Sequence, residues 1–335
     1  VNPVVRISHS ISGKGLVAVV AWGASFSVVR YALQFFNPFS LVTVRFGLGA
    51  LLLFVILRVR GMRLLPAPND LGMCSLLGCV LGGHLLIQSF GLQYTSAINT
   101  GWIIGFIPIM LAVGAHVVGR QRMGGIGWLG VLAGAGGVVL VTMSSLPNFR
   151  DSRLGDLLQF TSCLTWTIYT LVGAGPVERN GAMRVSAYVM GVAAVITLVP
   201  TISVGAFRQI PTLGAVVAVG FLGFICSGLV YYLWFQAVME HGPARVGSLI
   251  YLEPFISLAV ATMTLREVVT VNAAGGGLCV LIGVWLIARG TKAPPAPAEP
   301  GDAATKQRSD QTAWVPHPSL LAKGGEKPPP LAGGD

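Results

Sequence analysis

Charge is what this sequence lacks. Only 10% of its 335 residues are Asp, Glu, Lys or Arg, while 53% are apolar; a soluble domain carries about 25% charged residues. So few charges cannot cover a water-facing surface, and long apolar runs separated by short Arg-bearing loops place the chain in a lipid bilayer. Cysteine is also scarce. Cys74, Cys79, Cys163, Cys226 and Cys279 all fall inside apolar runs, with no partner Cys or His at zinc-ligand spacing, so buried, reduced thiols are expected and no metal site. There is no Walker sequence and no Ser/His/Asp order in a strand–turn–helix setting, which argues against a self-powered pump and against an enzyme. No cofactor is expected. Nor is a cleavable leader, because the first apolar run continues into a full span.

What is present is apolar and long. Ten runs bounded by Gly, Pro, Asn and Arg are expected to form helices over 16–35, 40–58, 71–92, 97–118, 124–143, 157–175, 185–204, 213–238, 243–264 and 270–288. Most hold about 20 residues, enough to cross about 30 Å of hydrocarbon at 1.5 Å per residue. The formal net charge of +10 does not point to nucleic acid, since no basic face with interleaved aromatics occurs. It follows the positive-inside bias instead. With the N-terminus in the cytoplasm, twelve Lys and Arg near span ends lie inside and four, Arg150, Arg153, Arg208 and Arg266, lie outside. Both termini are therefore expected on the inner side of a bacterial cytoplasmic membrane. From residue 291 the chain turns Gly- and Pro-rich, ending in Pro328, Pro329 and Pro330, and a disordered cytoplasmic tail is expected.

The chain also matches itself. Moved along by 146 residues, Gly101, Ile104 and Pro108 fall on Gly247, Ile250 and Pro254, and Arg120, Gly130 and Gly137 fall on Arg266, Gly276 and Gly283. Trp22 and Trp166 correspond at the nearby offset of 144. The expected fold is thus all-α, with one five-helix repeat over 1–143, a second over 144–290, and the tail over 291–335. Five crossings per repeat enter the second one upside down, and inverted repeats around a midplane site are the architecture of many secondary transporters.

At these positions the sequence resembles the EamA-type members of the drug/metabolite transporter superfamily. The resemblance is carried by Trp22-Gly23-Ala24-Ser25-Phe26 with Arg30, Pro38 and Arg45, and by Gly91-Leu92-Gln93-Tyr94-Thr95-Ser96-Ala97 followed by Pro108. In the second half it is carried by Tyr232 to Ala237, Ala244, Glu253-Pro254 and Leu265-Arg266-Glu267. It spans residues 12 to 290. One position departs: Gln121 stands where the counterpart of Glu267 is commonly Glu, so a carboxylate at both turns is not available. The resemblance implies ten helices and transport of small metabolites or drugs, with the fifth and tenth helices packed outside a cavity formed by the others.

Within the spans, chemistry-bearing side chains are few. A charge at mid-bilayer costs at least about 2.5–3.5 kcal/mol on insertion scales, so each needs a reason. Glu253, midway along the ninth run and directly before Pro254, is a candidate proton carrier or substrate contact; the plainer reading pairs it with an arginine such as Arg45. Arg45 itself suits an anionic group, or else snorkels to the interface, as is expected of Arg30. His84 is placed either to shuttle protons or to sit as a neutral, hydrogen-bonded core residue. Pro108 and Pro254 hold matching mid-span positions, where proline frees carbonyls and permits a bend. Trp22, Trp166, Tyr169, Gln88, Trp234 and Tyr251, with Trp102 and Gln236, bring aromatic and amide surface to membrane depth. Such surface suits an amphipathic metabolite, including by cation–π contact, although each residue alone is more often helix packing. Gly134-Ala135-Gly136-Gly137 and Gly275-Gly276-Gly277 follow no strand and suit helix packing, not a phosphate cradle.

The expected function is secondary transport, as an exporter of a small metabolite or drug by alternating access, with protons as the coupling ion. An intramembrane or lipid-modifying enzyme would need a convergent catalytic pair, for which only Glu253, His84 and Arg45 are at hand. A membrane scaffold would act through the proline-rich tail.

Overall fold

The computed structural model describes residues 12–117, 122–143, 149–241, 246–266 and 269–292. The tail from 293 onward, Gln121, Ala244 and Glu267 lie outside the described residues. In chain order the helices are α1 (Gly13–Ala32), α2 (Pro38–Val59), α3 (Pro68–Tyr94), α4 (Ala97–Ile104), α5 (Ile107–Val117), α6 (Gly125–Met143), α7 (Phe149–Asn180), α8 (Ala182–Val204), α9 (Leu213–Gly220), α10 (Val230–His241), α11 (Glu253–Leu265) and α12 (Val271–Gly290). A π-helix, Phe221–Leu229, joins α9 to α10, and a 3₁₀ turn, Ser248–Leu252, leads into α11. Arg122–Met123 (β1) pairs antiparallel with Thr291–Lys292 (β2).

Helix starts follow local chemistry. The Asn37 side chain accepts from Ser40 N–H with Pro38 in the first turn of α2, and the Ser96 and Thr212 side chains cap α4 and α9 in the same way; each satisfies a donor the helix leaves open. Two expected helices are not continuous. The run 97–118 bends at Gly105–Phe106, where Pro108 has no N–H to offer the Ile104 carbonyl, and the run 243–264 tightens to 3₁₀ ahead of Pro254 for the same reason. α7 runs beyond 157–175 in both directions.

Among the described residues, six helical stretches are long and apolar enough to cross a membrane: Gly13–Ala32, Pro38–Val59, Pro68–Tyr94, Ala97–Gly114, Ala182–Val204 and Leu213–His241. Gly125–Val141, Leu249–Leu265 and Val271–Ile287 are apolar but shorter. α7 is long enough, but its hydropathy is lowered by Gln159, Ser162, Thr167 and Thr170, all of which it buries. The exposed hydrophobic residues are spread over many helices, including Leu51, Leu132, Val199 and Ile282, as a surface facing acyl chains requires.

Glycine sets the closest helix approach. α6 and α12 meet so tightly that a Cβ on Gly137 would stand 2.5 Å from Gly276 O and 2.7 Å from Val280 N, and one on Gly283 would stand 2.5 Å from Gly130 O. α2 packs on α8, α3 on α7 and α8, and α1 on α11. The contacts at the helix ends fall into two sets. At one end Lys14 pairs with Glu240, Arg179 holds Asp70 at 2.5 Å, and Arg184 donates to Arg63 O at 2.9 Å. At the other, Asn37 donates to Gly205 O, Arg208 to Gln93 at 2.5 Å, and Arg30 to Thr95 O at 3.0 Å. Arg30 is therefore tied to a neighbouring helix end. Of the cysteines, Cys74, Cys163 and Cys226 are buried, but Cys79 is exposed on the outer face of α3, against expectation; none is in a disulfide.

Candidate functional site

A cavity lies among the middles of the helices. α1 supplies Trp22, Ser25 and Phe26; α2, Arg45; α3, His84, Leu85 and Gln88; the α4–α5 bend, Ile104 and Ile107. From the second half of the chain come Trp166 on α7, Tyr231 on α10, Ile250 in the 3₁₀ turn and Glu253 on α11. α6, α8 and α12 contribute no lining residue. For α8, the seventh expected span, that departs from the arrangement the resemblance implies: it packs behind α2 and α3 instead.

Small residues bring the walls together. A Cβ on Gly23 would come within 2.9 Å of Ile256 and 3.2 Å of Glu253 O, so the residue beside Trp22 must be glycine for α1 and α11 to touch. Gly105 likewise admits the Pro254 ring, whose Cγ would lie 3.2 Å from a Cβ there. The floor is aromatic. Trp22 and Trp166 meet edge to face, with centroids 5.1 Å apart, and Tyr231 stands 5.3 Å from Trp22 and 5.6 Å from Trp166, in the T-shaped arrangement that ring quadrupoles favour. The Trp22 indole donates to Cys226 O at 2.9 Å.

The polar groups stand above this floor. Arg45 is only 3% exposed, and its Nε donates to Ser227 Oγ at 2.8 Å. Two expectations fail here: Arg45 does not snorkel, and it forms no ion pair with Glu253, because the tight α2–π-helix packing turns its side chain to Ser227. Glu253, also 3% exposed, meets no hydrogen-bond or ion-pair partner among the described residues. His84 Nδ1 lies 3.0 Å from Ser162 O and 3.1 Å from Thr165 Oγ1. A carbonyl only accepts, so Nδ1 carries the hydrogen and Nε2 of the neutral ring is an acceptor. Gln88 completes the polar set.

Trp22, Trp166, Arg45, His84, Gln88 and Glu253 are thus brought to one cavity. The other candidates are not on its wall. Tyr169 and Trp234 are fully buried behind the floor, and Tyr169 Oη and Trp234 Nε1 lack partners among the described residues. Tyr251 is half-buried beside the lining Ile250. Pro108 and Pro254 shape the two bends, Trp102 packs on Gly277, and Gln236 donates to Tyr232 Oη at 2.6 Å. Sequence reasoning missed Ser25, Phe26, Leu85, Ile104, Ile107, Tyr231 and Ile250 as lining residues. A signal for some was present: Ile104 and Ile250, and Leu85 and Tyr231, are each 146 apart. Among the described residues no group of His, Cys, Asp and Glu is placed to hold a metal ion.

Apolar helices of membrane-crossing length around a partly charged cavity are the build of a membrane transporter. The sequence pattern of the EamA-like transporter family matches residues 13–143 and again 153–289, and the chain belongs to that family. It is similar to the uncharacterized transporter YyaM of Bacillus subtilis, at 26% identity over 78% of this chain and 88% of that one. An uncharacterized transporter of Archaeoglobus fulgidus is also 26% identical, over 81% of this chain and 94% of its own, and the uncharacterized inner membrane transporter YedA of Escherichia coli is 22% identical, over 72% and 79%. A crystal structure of a chain with 18% identity superposes with a TM-score of 0.63 over 82% of this chain and 95% of that one, a likeness of fold.

Proposed function

We propose that the chain is a secondary active transporter that exports a small metabolite or drug by alternating access, with the cavity as its cargo site and Glu253 carrying the coupling proton. Its halves are 1–143 and 144–290, inverted relative to each other and making ten spans, with both termini and the tail from 291 on the inner side of a bacterial cytoplasmic membrane.

The observation that carries this reading is the crossing of α6 and α12. At the offset of 146, Gly130 is the counterpart of Gly276 and Gly137 of Gly283, yet Gly130 packs on Gly283 and Gly137 on Gly276. Each glycine meets the other's counterpart, in antiparallel sense, as a two-fold axis through the crossing requires. A two-fold in the membrane plane relates inverted halves. Element bounds support the same relation. Moved by 146, Pro38–Val59 becomes 184–205 beside Ala182–Val204, and Ile107–Val117 becomes 253–263 beside Glu253–Leu265. Rocking of two such halves would expose the cavity to each side in turn, and a buried carboxylate with no protein partner is suited to exchange a proton as it does so.

The test is flux. A thermal-shift screen of the purified protein against metabolite and drug panels identifies cargo, and proteoliposomes then report its movement. Transport is expected in the full chain and after deletion of residues 295–335. Absence of flux for every compound that binds would refute the proposal, and loss of flux on deleting the tail would favour a scaffold acting through it.

A further inference from the structure

Two side chains of the cavity are held by one irregular segment. Phe221–Leu229 is π-helix inside the helical run from Leu213 to His241, and the Val230 N–H reaches back five residues to Ile225 O. π turns within α-helices are rare and occur disproportionately at functional sites. The stretch that corresponds at the offset of 146, residues 75–83, is regular α-helix within α3. The irregularity therefore belongs to one half alone, and repeat symmetry does not explain it.

Adjacent residues of this segment hold the two side chains. Ser227 Oγ accepts from Arg45 Nε at 2.8 Å, and Cys226 O accepts from the Trp22 indole at 2.9 Å. Cys226 and Ser227 are fully buried. α2 is pressed against the segment: a Cβ on Gly49 would stand 3.0 Å from both Gly228 N and Ser227 Cβ, and one on Gly223 would stand 2.7 Å from Leu48 Cβ. Backbone approach thus fixes where Ser227 stands relative to Arg45. A guanidinium has five N–H donors and stays charged. Ser227 takes one, among the described residues no other acceptor meets the rest, and Arg45 lines the cavity. A charge buried in this way calls for a partner of opposite sign.

We propose that Ser227 and the Cys226 carbonyl are the positioning groups of the cavity: they aim the free edge of the Arg45 guanidinium at a carboxylate of the cargo and fix the Trp22 indole beside it for the cargo's apolar body. The proposal rests on the cargo-site reading of the cavity and narrows it to carboxylate-bearing compounds.

The test uses the full chain in lipid nanodiscs with ¹⁵N-labelled arginine and tryptophan, the Arg45 Nε–H signal being assigned by its loss in Arg45→Lys. Sodium acetate is the carboxylate probe, against sodium chloride at matched ionic strength. In the wild type the Arg45 signal is expected to exchange slowly with solvent and to shift saturably with acetate beyond the chloride effect. Ser227→Ala is expected to speed that exchange and to weaken acetate binding about threefold or more, the scale of one lost hydrogen bond, while the Trp22 indole signal, whose acceptor is a main-chain carbonyl, stays in place. Ser257→Ala, which removes an equally buried seryl bond to Ala97 O, is expected to change none of these. Acetate affinity unchanged in Ser227→Ala, no saturable acetate shift in the wild type, or loss of the Trp22 signal along with that of Arg45 would each overturn the proposal, the last by making Ser227 a packing residue only. Transport plays no part in this readout, so a failed titration and a failed flux assay strike different claims.

Discussion

The indoles of Trp22 and Trp166 stand edge to face, with centroids 5.1 Å apart and planes at 83°, and the two residues are each other's counterparts at an offset of 144. Their meeting puts one residue from each half at the centre of the cavity floor. The remaining lining shows where the halves diverge. At the offset of 146, Ile104 answers Ile250, but Glu253 is answered by Ile107 and His84 by Val230. Where counterparts do both line the wall, the residue type changes at Ile107 and Glu253 and at Leu85 and Tyr231, so the chemistry of the site is peculiar to individual positions.

Glu253→Gln keeps the shape of the side chain and removes its ability to ionise. Flux driven by a pH gradient in proteoliposomes is expected to fall to the level of protein-free vesicles, while exchange of cargo for cargo at equal pH continues. Full pH-driven flux in Glu253→Gln would remove Glu253 as the proton carrier.

Neighbouring glycines on α6 are expected to behave oppositely. A Cβ on Gly137 collides with the α12 backbone, whereas one on Gly136 meets nothing within 4 Å. Gly137→Ala should destabilise by about 1–3 kcal/mol through overpacking. Gly136→Ala should be neutral or slightly stabilising, since alanine favours helix over glycine by about 1 kcal/mol. Thermal unfolding in detergent compares the two, and equal effects would contradict the packing of α6 on α12.

Asp70 is gripped by Arg179 and by Asn180 Nδ2 at 2.6 Å, tying α3 to the end of α7. One helical turn along α3 lies Cys74, fully buried. Asp70→Asn weakens this clasp with little change in volume, and the population open at that end should rise. In a chain retaining Cys74 as its single cysteine, maleimide labelling should become several-fold faster than with Asp70 intact. An unchanged rate would show that the clasp does not hold that end closed.

Much of the architecture was legible in the sequence because it rests on long-range regularities. Hydrophobic length marked the six stretches that, among the described residues, are long and apolar enough to cross a membrane, and the matched Pro108 and Pro254 foretold the bends at Gly105–Phe106 and Ser248–Leu252, each set by a missing N–H. Ionisable side chains inside apolar runs marked Arg45, His84 and Glu253. Partnership was not legible. Whether Arg45 turns to Glu253, to the interface or to Ser227 depends on a π-helix with no compositional signature, and that Ile250 lines the cavity while Tyr251 does not depends on a 3₁₀ turn that shifts the helical phase. The apolar lining residues were hidden for a simpler reason. In a chain that is 53% apolar, an isoleucine facing a cavity reads like one facing lipid.

The most direct measurement maps two counterpart positions across the bilayer. Gly124 and Thr270 are 146 residues apart, at the starts of α6 and α12. In a chain with its native cysteines replaced, Gly124→Cys and Thr270→Cys are treated in intact cells with a membrane-impermeant maleimide. Thr270→Cys should be labelled from outside, and Gly124→Cys only after the membrane is permeabilised. Labelling of both from the same side would mean that the halves are not inverted, and the transporter built on their two-fold relation would fall with that result.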